Sequence, residues 1–111
     1  MVKRYVPSRG HIIFMDFDPA SGHEQALPRP ALVLSVEAFN RRIRLALVAP
    51  ITSRIRGHGF EVPLEGTQTH GVVLCQQIKV IDYRARGARY VEDAPDAVVQ
   101  DALARARTIV S

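Results

Sequence analysis

Two short stretches concentrate side chains that could do chemistry. In SGHEQALPRP, residues 21–30, an imidazole (His23), a carboxylate (Glu24), an amide (Gln25) and a guanidinium (Arg29) fall within seven positions, on a segment running from glycine into a proline step. In VAPITSRIRGHG, residues 48–59, an apolar run ends at Pro50, presents Thr52 and Ser53, and then passes through Arg54, Arg56 and His58 between glycines. Hydroxyls followed by arginines on a glycine-flanked loop suit the edge of a phosphate-binding surface. The first stretch is longer than a hairpin turn needs, and long ordered loops in compact domains tend to carry function. Each residue also has an ordinary explanation. Glu24 and Arg29 can form an ion pair that orders the loop, His23 can be solvated, and Pro30 suits the entry of a strand.

Several chemistries lack their residues. The histidines at 11, 23, 58 and 70 show no close metal-ligand spacing, and Cys75 has no CxxC partner, so no metal site is expected. There is no phosphate-binding GxxxxGK[ST] loop, no GxGxxG after a strand, and no nucleophile elbow, so no cofactor is expected either. Cys75, at the end of an apolar run, reads as a buried small hydrophobe.

The bulk properties agree with a soluble domain. At 111 residues the chain fits one domain with a core of its own. One cysteine forbids an intrachain disulfide and fits a reducing cytoplasm. The opening MVKRYVPSRG carries charge with no apolar stretch behind it, unlike a secretory signal, and no run is long enough for a membrane span. Lys and Arg number 15 against 11 acids, for a net charge of +4, and all but Lys3 and Lys79 of those cations are arginines. Arginine enrichment suits oxyanion recognition by its planar fork, although GC-rich codon usage also raises arginine and alanine. The basic balance points weakly to nucleic acid or to an acidic protein partner.

The elements that must position these residues are mostly strands. Val, Ile, Leu and Phe dominate short runs at 11–17, 30–36, 44–50, 59–64, 71–75 and 77–81, with a further run at 88–91 and Gly or Pro between them. Strands this short and close favour a small antiparallel barrel or sandwich. The tail changes period. Val99, Leu103, Ala106 and Val110 fall at helical spacing, widened by Val98, Ala102 and Ile109, with Asp93 predicted as N-cap and Pro95 in the first turn. The expectation is a mainly β protein: a small SH3-like antiparallel barrel with a C-terminal α-helix.

Taken together the motifs resemble the MazF/PemK (ChpB-like) toxins of type II toxin–antitoxin systems. The resemblance runs from Arg9-Gly10 through DFDPASGHEQ (16–25), RPALVLS (29–35), AFN (38–40), VAPITS (48–53), GVVLCQQIKVID (71–82) and ARGAR (85–89) into the terminal helix. It implies homodimeric, metal-independent endoribonucleases of the cytoplasm that cleave single-stranded mRNA at short sequences. They are restrained by a cognate antitoxin with an acidic C-terminal segment, and no membrane is involved. By that resemblance Arg29 and Thr52 are the catalytic pair, with Glu24 beside them. Arginine stays protonated and is a poor base. Arg29 is therefore expected at the phosphorane oxygens, and His23 or Glu24 as the proton acceptor. Gln25, Ser53, Arg54, Arg56, Gln77, Lys79, Arg84 and Arg86 are expected at the RNA. Some PemK-like members carry an arginine and an aspartate where this chain has Leu74 and Gln76, so a mechanism resting on that pair does not transfer. The position after Gly10, usually acidic in the family, is His11. Two other classes stay open on sequence: a non-enzymatic gyrase poison of the CcdB type on a related barrel, and an inactive homologue that binds RNA or antitoxin.

Overall fold

Val, Ile and Ala in unbroken runs can form strands only where both faces are covered, and that is how the apolar segments are used. The computed structural model describes residues 4–16 and 28–110. In chain order the elements are β1 (His11–Met15), β2 (Arg29–Val33), α1 (Glu37–Ile43), β3 (Ala46–Thr52), β4 (Glu61–Pro63), β5 (Val72–Leu74), a 3-10 turn (Cys75–Gln77), β6 (Lys79–Ile81), β7 (Arg89–Asp93) and α2 (Asp96–Val110). The strands pair in the order β4-β5-β3-β2-β1-β7, and β6 also pairs with β3. Every pairing is antiparallel. β3 is long enough to hold β6 along Ala46–Val48 and β5 along Ile51–Thr52.

Successive residues of a strand alternate faces, and here each face meets its own cluster. Ile12, Leu32, Leu34, Ala49, Ile51, Val62, Val73 and Cys75 pack with Val98, Val99, Ala102 and Leu103 of α2. Ile13, Met15, Ala31, Val33, Ala46, Val48, Ile81 and Tyr83 form the second cluster, flanked by Tyr5, Val6 and Ala88. A mainly β architecture with a C-terminal helix is thus present. The predicted barrel, however, is not closed: among the described residues β4 and β7 end the path without pairing to each other. β4 and β5 are three residues each, too short to carry a ladder around to the far edge.

α2 buries the stripe its periodicity predicts for two turns and then leaves the core. Ala106 is half-buried, whereas Ile109 and Val110 are 45% and 80% exposed. Each of Val98, Val99 and Leu103 removed from water stabilises the docking by roughly 1.5–3 kcal/mol. The predicted cap is corrected. Asp93 ends β7, and the helix ladder starts at Pro95, whose carbonyl accepts from Val98 and Val99 N–H at 3.0 and 3.1 Å. The Asp93 carboxylate instead accepts from the Tyr90 hydroxyl at 3.1 Å and lies 3.7 Å from His11 Nε2.

α1 has no counterpart in the predicted elements, because seven residues are too few to display a helical period. Its charges do fit the macrodipole, with Glu37 in the first turn and Arg41 and Arg42 in the last, and Glu37 pairs with Arg41. It also carries Asn40, which is wholly buried. The Asn40 amide donates to Pro7 O (2.8 Å) and Ser35 O (3.1 Å), and its oxygen accepts from Ser35 Oγ (2.5 Å). Ser35 Oγ in turn accepts from Leu47 N–H at 2.8 Å, and the Tyr83 hydroxyl donates to Asn40 O at 2.7 Å. One residue therefore ties the N-terminal arm and the β2–β3 connection through its side chain, and the turn before β7 through its backbone carbonyl. The asparagine of the AFN motif is structural. No helix among the described residues is long and apolar enough to cross a membrane.

Candidate active site

The antiparallel register of β2 and β3 decides which residues meet at the sheet's rim. Ala31 lies opposite Pro50, Leu32 opposite Ala49 and Val33 opposite Val48. Arg29 is the first residue of β2 and Thr52 the last of β3, so both stand two residues beyond the Ala31–Pro50 pair, at the same end of the two strands. Two segments separated by more than twenty residues thus deliver a guanidinium and a hydroxyl to one spot. The pair opens into a groove of about 580 Å³ lined by Arg29, Thr52, Ser53, Arg54, Arg56, Leu74, Gln76 and Gln77. Arg29, Thr52 and Ser53 also border a second hollow of about 330 Å³ that adds Pro28, Pro30, Ile51 and His70.

Electrostatics of the groove are one-sided. Its described lining holds three guanidinium groups and no carboxylate, so it favours an anion. Thr52 Oγ1 accepts a hydrogen bond from Arg54 N–H at 3.1 Å, which leaves its own O–H to donate to a ligand oxygen.

Both loops beside the pair are built around a buried or half-buried acid. On one side Glu61, nearly buried in β4, accepts from the backbone N–H of Arg56 (3.1 and 2.9 Å) and of Gly57 (2.7 Å). Burial pushes its pKa up, but those two N–H bonds and the charges of His58 and Arg56 outweigh it, so the carboxyl titrates below its ordinary value. On the other side Glu92 of β7 accepts from Gln68 N–H (3.0 Å), Thr69 N–H (2.8 Å) and Thr69 Oγ1 (2.8 Å). Burial again opposes its ionisation, and the bonds from Gln68 and Thr69 again hold its carboxyl below the usual value. That second loop closes onto the site through Gly71. A Cβ there would lie 2.2 Å from the Thr52 carbonyl oxygen, and φ is +127°, so both space and conformation require glycine.

The structure brings together Arg29, Thr52, Ser53, Arg54, Arg56 and Gln77 of the expected residues. Lys79 lies on β6, opposite Val48, and does not line the groove. Arg86 sits in the turn before β7, where its carbonyl accepts from Asp16 N–H at 2.7 Å, and it does not line the groove either. Arg84 borders a separate hollow with Arg4, Tyr5 and Tyr83. His23, Glu24 and Gln25 lie outside the described residues. Cys75 is fully buried, and burial pushes its thiol up to about 11, which suits an inert packing role. Among the described residues no group of three His, Cys, Asp or Glu comes together as a metal site. Glu61 and Gly71 carry no functional expectation from sequence, His70 enters there only as a metal ligand to be weighed, and Gln76 only as a departure from the family pattern. Glu61 alone had a local signal: an acid between Phe60 and Val62 in an apolar run is a burial that needs a partner.

An arginine and a threonine hydroxyl in a cationic groove, on the rim of an antiparallel sheet backed by one long helix, define a small mainly β protein with a site that favours anions. The chain belongs to the PemK-like, MazF-like toxin family of type II toxin–antitoxin systems, whose sequence pattern matches residues 8–110. It is 49% identical over 116 aligned residues to the endoribonuclease toxin ChpB of Escherichia coli K12, covering 99% of both chains. It is 49% identical to the endoribonuclease toxin MazF of the same organism over 88 residues, 79% of each chain. Among solved structures it superposes on MazF (Form-I) of Deinococcus radiodurans with a TM-score of 0.86 at 38% identity, covering 96% of this chain and 98% of that one. A chain of the Deinococcus radiodurans MazE–MazF complex (Form-II) gives a TM-score of 0.89, also at 38% identity, with 96% and 97% coverage.

Proposed function

We propose that this endoribonuclease toxin cuts single-stranded RNA by metal-independent attack of the 2′-hydroxyl on the adjacent phosphorus. The observation that carries the reading is that Arg29 and Thr52 line one groove together with Arg54, Arg56 and Gln77. A proton leaves O2′, the O2′–P bond forms, and the P–O5′ bond breaks, with a proton delivered to O5′. The products are a 2′,3′-cyclic phosphate and a 5′-hydroxyl. Arg29 neutralises the charge that gathers on the non-bridging oxygens, and the Thr52 hydroxyl adds a hydrogen bond there. Leu74 and Gln76 do not ionise, so they supply neither acid nor base. The proton acceptor is His23 or Glu24, on the segment that leads into β2, and His23 is the group that titrates near neutrality. Ser53, Arg54, Arg56, Gln77 and Gln25 hold the flanking strand.

The same groove accounts for the partner. A surface whose described lining holds three guanidinium groups suits an acidic antitoxin segment as well as it suits RNA. The chain acts as a single toxin domain, as a cytoplasmic homodimer, and growth stops because mRNA is destroyed.

The test is incubation of the pure protein with a long single-stranded RNA in EDTA, followed by end analysis. Fragments with 5′-hydroxyl ends are expected, and Arg29→Ala should abolish them with the fold intact. Intact RNA together with gyrase inhibition overturns the reading. In the same assay His23→Gln should remove one limb of the pH–rate profile near neutrality; an unchanged profile moves the proton to Glu24.

A further inference from the structure

The groove wall carries a side-chain relay that the cleavage reaction does not use. It starts at Glu61, whose side chain is 3% exposed and whose carboxylate gathers the backbone of Arg56 and Gly57. His58 continues it, with Nε2 lying 3.7 Å from Glu61 Oε2 and 3.3 Å from the Gln76 amide. Gln76 ends it, in the 3-10 turn anchored by buried Cys75, and lines the groove with Arg29 and Thr52.

Proton positions in this relay follow from one bond. His58 Nδ1 accepts from Phe60 N–H at 3.3 Å, and an imidazole nitrogen that accepts carries no hydrogen. Neutral His58 therefore carries its proton on Nε2. The amide nitrogen of Gln76 stands at that 3.3 Å, but an Nε2–H needs an acceptor and the two ends of an amide are assigned by such networks, so we assign the amide the turned way, with its oxygen toward His58. With its oxygen engaged by His58, the amide turns both of its N–H donors to the groove.

We propose that Gln76 determines cleavage specificity: its oriented amide donates to the acceptor edge of a nucleobase next to the cleaved phosphate. His58 and Glu61 are positioning residues that hold the amide in that orientation. The inference rests on the endoribonuclease reading. A base rather than a phosphate is the ligand because the amide is neutral. Arg54 and Arg56, in the same groove, already supply charge for phosphates, whereas neutral amide N–H donors match the acceptor edges of unstacked bases.

Gln76→Glu replaces two donors with acceptors, and Gln76→Ala removes both. Each variant and the wild type are given one long single-stranded RNA, and all cut ends are sequenced. The expected result is a change confined to one position of the cleaved sequence. Gln76→Ala loses discrimination there by roughly 10- to 100-fold, the worth of one good base contact. Gln76→Glu shifts preference toward bases that offer an amino group at that position. His58→Phe should relax the same position and no other, which a merely structural role would not do. If a variant cuts too slowly to map, its affinities for oligonucleotides carrying 2′-deoxyribose at the cleaved nucleotide, with each base in turn at that position, give the same ratio. An unchanged sequence with all sites slowed by one factor overturns the proposal, because that is the mark of a phosphate contact. Unchanged rates and sequence overturn it as well. A wild type that cuts no RNA overturns the endoribonuclease reading itself, and this inference with it.

Discussion

Gly71→Ala tests whether the geometry at Thr52 sets the rate. The added Cβ would sit 2.2 Å from Thr52 O, 2.8 Å from Thr52 C and 3.2 Å from Ser53 Cα. A carbon rests against a carbonyl oxygen at roughly 3.3 Å, so the two backbones must part by about 1 Å. Backbone cannot swing aside as a side-chain tip can, and the segment displaced is the one that carries the Thr52 hydroxyl. A displacement of about 1 Å at a reacting group costs on the order of 100-fold in rate. Part of any loss could come from the left-handed conformation alone, which strains alanine by roughly 1–2 kcal/mol. Gly66→Ala separates the two effects. Gly66 has φ +77°, but its Cβ would meet only Pro95 Cγ, at 3.8 Å. Initial rates on a fluorogenic single-stranded RNA should therefore fall on the order of 100-fold in Gly71→Ala and stay near wild type in Gly66→Ala. Urea titration should show both variants losing stability by about 1–2 kcal/mol, and Gly71→Ala losing more. If the two variants cleave at the same rate, the close approach of Gly71 to Thr52 does not position the hydroxyl we propose at the phosphorane.

Two further outcomes concern the scaffold. Asn40→Ala removes the amide bonds to Pro7 and Ser35 and the acceptor of Ser35 Oγ, leaving buried polar groups unpaired. Urea unfolding should show a loss of about 3 kcal/mol, and a loss under about 1 kcal/mol would contradict the hub. Glu61, with its carboxyl below the ordinary value in the fold, adds stability that is present above its unfolded pKa and lost as pH falls through its folded one. The urea midpoint of Glu61→Gln should approach that of the wild type as the solution is acidified from neutrality, and a gap constant with pH would show that the ionised form does not hold the loop.

Glu61 and Glu92 show how this fold handles the loops beside its site. Loops carrying several cations repel themselves, and short loops have unpaired N–H groups. A buried acid answers both needs, accepting backbone donors while balancing the arginines and histidines nearby. Among the described residues the groove lining thus keeps its positive charge, with the Glu61 carboxylate turned to the loop backbone.

Period and composition by themselves determined most of the architecture. The alternation of apolar runs with glycine and proline located all seven described strands to within a few residues, and the shift to helical spacing located α2. These signals are local, and a strand or helix advertises its period within its own span. α1 escaped because seven residues hold too few turns, and the N-cap was misplaced because Asp93 was claimed by β7. Closure of the sheet depends on how far short strands reach, which no single segment encodes. The motif residues Arg29 and Thr52 could be marked as chemical, and the family could be identified from their company. Only the tertiary structure decided that pairing of β2 with β3 brings both residues to one groove. It also placed Lys79 and Arg86 away from the groove and drew Glu61, His58 and Gln76 into one relay. Such contacts join residues far apart in the chain through hydrogen-bond register and burial, properties that exist once the strands have paired.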